Sequence, residues 1–367
     1  MNDNLKLAYS AEVASATKAG KTSNLTLDRP IMFRGCGTLG AVVPLLAVVE
    51  EIKKLSPERE LVWVGTDTPQ IKEVVESYGI KFETLPVVKA DRFWSLQNLA
   101  VPFNFIRVLV KAARLLDKYF PETIVNAGSF TGVPLIWLGK VFGCRVIIHQ
   151  QDRVPSLSNQ LTGYLANVVT VAFSDMKHIF TPKIGIYLGN PIRQSLLDAV
   201  AKFKIQNLKF KILVMGGSSG ALGLNEKIKM CLPQLLEKFQ VIHLTGRGKG
   251  VDFKNENYQQ EEFVFDGLAR FYAEAEVVIS RCGLNAITEL SALKKKTIFV
   301  PLPDSHQGAN AQWLAQNGAV VLRQAEITSE ILLKKIGEAL ESASPKWWEF
   351  YQLDAAHKLA EIVLESK

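Results

Sequence analysis

The sequence predicts an α/β fold of two Rossmann-like domains, each with a parallel sheet, facing each other across an interdomain cleft. Three observations carry this reading. Short β-branched runs alternate with helical patterns along most of the 367 residues, which implies parallel strands joined by right-handed crossovers. The alternation breaks at IYLGNPIR (186–193), with Gly189 and Pro191, passes through the polar, basic AKFKIQNLK (201–209), and then restarts. Each half also opens with a strand, a glycine-rich turn and a helix, and in such sheets ligands sit at the carboxyl ends of the strands. A composition of 48% hydrophobic and 22% charged residues suffices for two cores.

Residues 1–28 are polar and rich in Ala, Ser, Thr and Lys, without the apolar centre of a signal peptide, and read as a mobile tail. An N-terminal domain follows over 29–192. Its strands are PIMFRGC (30–36), ELVWVG (60–65), FETLPV (82–87), TIVNAG (123–128), CRVIIHQ (144–150) and VVTVAF (168–173). Between the first two lies PLLAVVEEIKKL (44–55), where Leu45, Val48, Val49, Ile52 and Leu55 share one helical face. The stretch 91–116 mixes Phe93, Trp94, Leu96, Leu99, Phe103 and Phe105 with Arg107, Lys111 and Arg114, which suits an interfacial patch on anionic lipid. A C-terminal domain over 193–344 has strands FKILVMGG (210–217), QVIHLTG (240–246), EFVFDG (262–267), AEVVISRC (275–282), KTIFVPL (296–302) and AVVLRQ (319–324). Residues 345–367 read as one or two helices with Ala355, Ala356, Leu359, Ile362 and Val363 on the apolar face.

Several function classes are excluded. The net charge of +7 favours anionic partners, but no basic run is interleaved with aromatics as nucleic-acid motifs are, so no nucleic acid is expected. Cys36, Cys144, Cys231 and Cys282 are scattered without a CxxC pair, which reads as reduced thiols, not a disulfide frame or a zinc site. No uninterrupted apolar run is long enough to span a membrane. Neither glycine-rich turn is followed by GK[ST], which argues against a Walker-type ATPase.

The candidate site residues cluster at strand ends. RGCGTLGAVVP (34–44) and MGGSSGALGLNEKI (215–228) each offer backbone amides and the positive end of a helix to a phosphate. SRCGLNAITEL (280–290) places Arg281 at a strand end and Glu289 about one turn into the next helix, a cation for a diphosphate and a carboxylate for sugar hydroxyls. PLPDSHQGANAQ (301–312) adds Asp304, His306, Gln307 and Asn310 on the same rim. In the first half, HQQDRVPSLSNQ (149–160) brings His149, Gln150, Gln151 and Asp152 out at a strand end, and NAGSFTGVP (126–134) lines the same side. His178, His243 and His357 lie outside any cluster.

Taken in order from about Phe33 to the C-terminus, these motifs, with GNPIR (189–193), HLTGRGKG (243–250) and VFDGLARFYAEAEVVISRCGLNAITEL (264–290), resemble the MurG family of bacterial peptidoglycan glycosyltransferases. The resemblance implies a GT-B fold whose last helix crosses back to the first domain. It implies inverting transfer of N-acetylglucosamine from its UDP conjugate to the 4-hydroxyl of undecaprenyl-diphospho-N-acetylmuramoyl-pentapeptide (lipid I), giving lipid II. It further implies a peripheral enzyme at the cytoplasmic face of the cell membrane, working on an anionic lipid surface, with no cofactor and no tightly bound metal.

The roles it implies follow residue by residue. Arg193, Ser218, Gly220 and Arg281 would meet the UDP diphosphate, with Leu284, Asn285, Ala286, Ile287 and Thr288 forming the helix start below it. The Phe265 backbone would read uracil, Glu289 the ribose, and His306 and Gln307 the sugar hydroxyls. Thr38, Leu39, Gly40 and Asp152 would approach the donor sugar. Gly37, Thr38, Gly40, Gly128, Thr131, Gly132 and Asn159 would cradle the acceptor diphosphate. The chain departs from the family at Ala41, where a histidine is usual, at Leu39 for glycine, at Gln150 for glutamate and at Asp152 for asparagine. His149 with Asp152 is therefore the expected base. Three other readings stay open: a glycolipid synthase with another acceptor, a UDP-sugar epimerase, and a non-catalytic nucleotide-sugar binding protein.

Overall fold

The computed structural model describes residues 29–86, 101–128, 132–180, 183–203, 210–217, 220–265 and 267–365. The expected tail at 1–28, the aromatics of 87–100, Thr131 and Ser218 lie outside them.

The first sheet has seven strands: β1 (Ile31–Arg34), β2 (Leu61–Gly65), β3 (Lys81–Thr84), β4 (Thr123–Asn126), β5 (Arg145–Gln150), β6 (Val168–Val171) and β7 (Ile186–Tyr187), in the order β3-β2-β1-β4-β5-β6-β7. The second has six: β8 (Lys211–Met215), β9 (Gln240–Leu244), β10 (Tyr258–Glu261), β11 (Val277–Ser280), β12 (Lys296–Phe299) and β13 (Val320–Val321), in the order β10-β9-β8-β11-β12-β13. The named strands pair in parallel throughout. Their central members are mostly apolar because helices cover both faces; all of Ile31–Arg34, Leu61–Gly65 and Thr123–Asn126 is buried, with Arg34, Thr123 and Asn126 at strand ends.

In each sheet the strand order reverses beside the domain's first strand, between β1 and β4 and between β8 and β11. The loops after these four strands therefore diverge and leave a crevice at the carboxyl ends. They are the loops that carry the glycine-rich and SRCG motifs.

The helices connect the strands as the periodicity predicts. The first, α1 (Val43–Leu55), starts with Pro44 in its first turn, ends on Lys53 and Lys54, and buries Leu45, Leu46, Val48, Val49 and Ile52. Proline suits a first turn, where its missing N–H costs nothing, and the lysines suit the negative end of the dipole. The others are α2 (Pro69–Ser77), α3 (Val101–Tyr119), α4 (Gly132–Val141), α5 (Leu157–Thr162), α6 (Gln194–Lys202), α7 (Leu222–Leu236), α8 (Leu268–Glu274), α9 (Leu284–Ala292), α10 (Gln307–Gln316), α11 (Ser329–Glu341) and α12 (Ala355–Leu364).

The C-terminal helix α12 lies on the first domain. Leu359, Ala360 and Val363 join the core formed by Leu45, Val49 and Ile52. Arg145, at the start of β5, donates to the carbonyls of Ile362 and Glu365, both at 2.6 Å. A second junction is aromatic: Phe173 from the first domain packs on Trp313 and Phe350, with centroids 5.3 and 4.8 Å away.

Two sequence expectations are corrected. EFVFDG (262–267) is not a strand. The strand is the preceding Tyr258–Glu261, an edge strand exposed at Gln259 and Gln260, and the apolar run after it turns into the cleft. There Phe263 and Phe265 pack against the first domain's core, so their hydrophobicity serves the interdomain contact and not a sheet. Ile186–Tyr187, read as part of a break, forms the last strand of the first sheet.

Candidate functional site

A cavity of about 680 Å³ lies between the carboxyl ends of the two sheets, within the usual range for small-molecule sites. Its first-domain wall begins with Cys36–Ala41. Gly37 has φ +88°, a left-handed conformation in which a Cβ is costly. Gly40 donates its N–H to Thr38 Oγ1 at 3.2 Å, and Leu39 O accepts from Val42 and Val43 to start the chain into α1. The Leu39 side chain is buried in the first-domain core. A leucine here thus leaves the loop's backbone free to face the cavity.

Beside this loop the wall is built of neutral amides. Asn159 Nδ2 donates to Gln150 Oε1 at 2.7 Å, Asn126 Nδ2 donates to Asn159 Oδ1 at 3.3 Å, and Gln151 Nε2 donates to Ala127 O at 3.0 Å. Gly128 lines the cavity, whereas Gly132 opens α4 and packs behind Asn126.

The pairing of His149 with Asp152 is corrected. His149 lies on β5 and is fully buried. Its Nδ1 meets Thr170 Oγ1 at 2.9 Å and its Nε2 meets Asn190 Oδ1 at 3.3 Å. Burial pushes its pKa down to about 4, so the ring is neutral and both nitrogens are committed. Alternation along the strand turns His149 inward, and only after Gln150 does the chain leave the sheet. Asp152 does line the cavity, but it reaches across it. Its Oδ1 accepts from Asn310 Nδ2 at 2.9 Å, and its Oδ2 stands 3.7 Å from His306 Nε2.

On the second-domain side, Glu289 lines the cavity while only 6% exposed. Burial raises its pKa; Arg193 and the hydrogen bond from Tyr272 Oη, 2.7 Å from Oε2, oppose that rise. Arg193 lies with its guanidinium 4.1 Å from the centroid of the Phe265 ring and donates to Tyr78 Oη at 3.4 Å. It joins the two domains while lining the cavity. Gly220, at φ +67°, would bring a Cβ to 2.3 Å from Thr245 O, so only glycine fits that approach.

Two further expectations change. Arg281 lines the cavity, but its guanidinium is occupied: Nη1 donates to Pro301 O at 2.9 Å and Nη2 to Gln324 Oε1 at 2.6 Å. In this geometry it braces the β12 loop. Of Leu284–Thr288, only Leu284, Asn285 and Ala286 line the cavity. Helical periodicity turns Ile287 into the core, and Thr288 Oγ1 donates to Leu284 O at 2.8 Å. Gln307 lines the cavity and accepts from Leu302 N–H at 3.0 Å.

The profile of the glycosyltransferase family 28 N-terminal domain matches residues 31–171, and that of the family's C-terminal domain matches 211–349. A protein of Lachnospira eligens named UDP-N-acetylglucosamine–N-acetylmuramyl-(pentapeptide) pyrophosphoryl-undecaprenol N-acetylglucosamine transferase is 33% identical over 320 residues, spanning 84% of this chain and 90% of its own. This chain belongs to glycosyltransferase family 28. The fold agrees with that of MurG from Acinetobacter baumannii, at TM-score 0.67 and 24% identity over 91% of this chain and 99% of that one. UDP-GlcNAc 2-epimerase from Neisseria meningitidis shares the fold equally well, at TM-score 0.68 and 14% identity over 91% and 99%. Architecture alone therefore does not separate transferase from epimerase.

In this family 28 chain, three site features escaped the sequence reading. Tyr272 stands among the buried residues of α8 and no motif singles it out; the available signal was that a buried tyrosine needs a partner for its hydroxyl. Asn190, in the GNPIR break, links His149 to Thr288 Oγ1 at 3.1 Å and Asn285 Oδ1 at 3.3 Å. Asn285 Nδ2 in turn donates to Gly40 O at 3.1 Å, so one polar chain runs from β5 to the first glycine loop. Trp137 on α4 is exposed beside Ile106 and Val110 of α3 and Leu161 of α5. Its helix is apolar all round and so reads as core.

Proposed function

We propose that this chain transfers N-acetylglucosamine from UDP-N-acetylglucosamine to the 4-hydroxyl of undecaprenyl-diphospho-N-acetylmuramoyl-pentapeptide, with inversion at the anomeric carbon, forming lipid II. The observation that carries the reading is the buried Glu289–Tyr272 pair at the foot of a cavity walled by glycine loops from both domains. Those loops feed helices α1 and α7, and α9 starts at the cavity, so three positive helix ends face it among the described residues. Such ends bind phosphate oxygens.

In this reading the second domain takes the donor. Gly220 and the start of α9 at Leu284–Ala286 approach the UDP diphosphate, Glu289 takes the ribose diol, the Phe265 backbone takes uracil, and His306 and Gln307 face the sugar. Arg193 and the helix dipoles stabilise charge on the departing UDP. The first domain takes the acceptor. Gly37–Gly40 and Gly128 bring backbone to its diphosphate, and the amides of Gln150 and Asn159 form a wall that does not repel an anion. Asp152 takes part in removing the hydroxyl proton. The reaction proceeds without a bound metal.

The acceptor's lipid places the reaction at the cytoplasmic membrane face. Among the described residues no helix is long and apolar enough to cross a membrane. Ile106, Val110, Trp137, Val141, Leu157 and Leu161 are exposed on the neighbouring helices α3, α4 and α5, with Arg107 and Arg114 exposed on α3. Apolar side chains flanked by cations match an interfacial surface on anionic lipid.

The test incubates the protein with UDP-N-acetylglucosamine and a soluble lipid I analogue. Acceptor-dependent UDP release is the expected result. Release without acceptor or isomerised sugar indicates an epimerase, and binding without turnover indicates a binding protein.

A further inference from the structure

We propose that the group accepting the proton in this reaction is a pair assembled across the cleft, His306 from the second domain and Asp152 from the first. The inference rests on the transferase reading above and deepens it. Among the described residues lining the cavity, the carboxylates are Asp152, Glu262 and Glu289 and the one imidazole is His306. Glu289 is bound by Tyr272, and Glu262 accepts from the Gly248 N–H at 3.0 Å. His149, which the motif pattern favours, is fully buried. Asp152 and His306 remain, 3.7 Å apart, with side chains 30% and 53% exposed.

Their surroundings fix one partner and leave the other open. Asn310, fully buried in the first turn of α10, donates from Nδ2 both to Asp152 Oδ1 at 2.9 Å and to the Cys282 carbonyl at 3.0 Å. Gln150 Nε2 donates to the Asp152 carbonyl at 2.6 Å. The carboxylate is thus held by both its backbone and its side chain, with Oδ2 turned to His306 Nε2. At 3.7 Å the two stand at ion-pair distance, longer than a hydrogen bond; a carboxylate facing one ring nitrogen favours the imidazolium and leaves the other nitrogen to accept a proton. As the acceptor oxygen bonds to the anomeric carbon, its proton passes to His306. The bond from that carbon to the UDP oxygen breaks, and its electron pair leaves with UDP. Asp152 carries the charge that balances the imidazolium. Because the partners sit on different domains, the pair bridges the cleft.

The experiment measures kcat and KM for the full-length protein and for Asp152→Asn, His306→Gln and the double variant, with UDP-N-acetylglucosamine and a soluble lipid I analogue. Each single variant is expected to lower kcat by roughly 10²–10⁴-fold, and the double by no more than the worse single, because the two act as one unit. Multiplying losses overturn the pair. So does a His306→Gln variant that raises KM for the nucleotide sugar at unchanged kcat, which makes His306 a binding residue only. Acceptor-dependent turnover by the unaltered protein alongside either result leaves the transferase reading intact; no turnover by the unaltered protein overturns both.

Discussion

Removing the Tyr272 hydroxyl tests whether Glu289 reads the donor's ribose. The phenol sits 2.7 Å from a carboxylate that is only 6% exposed, and hydrogen bonds to charged groups contribute about 1.5–3 kcal/mol. Tyr272→Phe keeps the ring and its packing and deletes that bond, together with the longer contact of the hydroxyl to Met215 Sδ at 3.6 Å. Burial already pushes the Glu289 carboxyl above its ordinary range, and Tyr272 holds it down, so the variant raises it further. If the ionised carboxylate binds the ribose diol, KM for UDP-N-acetylglucosamine rises about 10–100-fold at about 1.4 kcal/mol per factor of ten, while kcat changes little. The rise grows as pH falls, because the variant's carboxylate takes up its proton at higher pH. Folding stability moves oppositely: with a raised pKa the folded state binds the extra proton, so stability falls as pH rises from the unfolded value of 4.5 through the folded one. Initial rates over a pH series, with thermal melts alongside, supply both readings. A melting loss with unchanged KM at every pH would refute the ribose role and leave Glu289–Tyr272 as a core pair.

Three other outcomes follow. His149 and His243 are buried, and burial lowers both pKa values from 6.5 to about 4. Each contributes stability that is complete above pH 6.5 and lost as pH falls through 4, about 3 kcal/mol apiece at 1.36 kcal/mol per unit; the urea midpoint should fall as pH drops through that window, and His243→Gln should remove part of that fall. Trp137→Glu combined with Val110→Glu should cut co-sedimentation with phosphatidylglycerol vesicles by roughly tenfold or more while sparing turnover of a soluble acceptor analogue; unchanged pelleting would remove this face from the membrane. Exhaustive EDTA treatment should leave turnover intact, and activity lost to EDTA and restored by magnesium or manganese would contradict metal-free transfer.

The alternation of strand and helix was legible because both sheets are parallel and buried, so their central strands are mostly apolar runs with polar residues only at their ends. The glycine loops were legible for the same reason, since each marks a strand end. What the sequence concealed was direction. Nothing in HQQD shows that His149 points into the sheet and Asp152 across the cleft; alternation along β5 decides it. Arg281 and Glu289 lie near one another in sequence and share the rim, yet Arg281 turns to Pro301 O and Gln324 while Glu289 turns to Tyr272. EFVF read as a strand because its apolar content is indistinguishable from a sheet run until the first domain is placed against it.

The departures at 150 and 152 form a matched set. Gln150 donates from Nε2 to the Asp152 carbonyl and accepts at Oε1 from Asn159; an ionised glutamate accepts only and could not make the first bond. Glutamine thus fixes the turn that aims Asp152 at the second domain. It also keeps the first-domain wall free of carboxylates beside the glycine loops, because Asp152 is the one acidic side chain that wall contributes among the described cavity-lining residues. Like charges in contact are costly in a partly enclosed site, so a wall that must hold an acceptor diphosphate benefits from neutral amides. With Ala41 in the first loop, the charge for proton removal comes, in the proposed reading, from farther along the β5 loop, where Asp152 meets His306 and Asn310. Relative to the family pattern the sequence resembles, Ala41 and Gln150 lack ionisable groups and Asp152 adds one; in the proposed reading these belong together, placing acid–base chemistry at the seam between the domains and not on the acceptor wall.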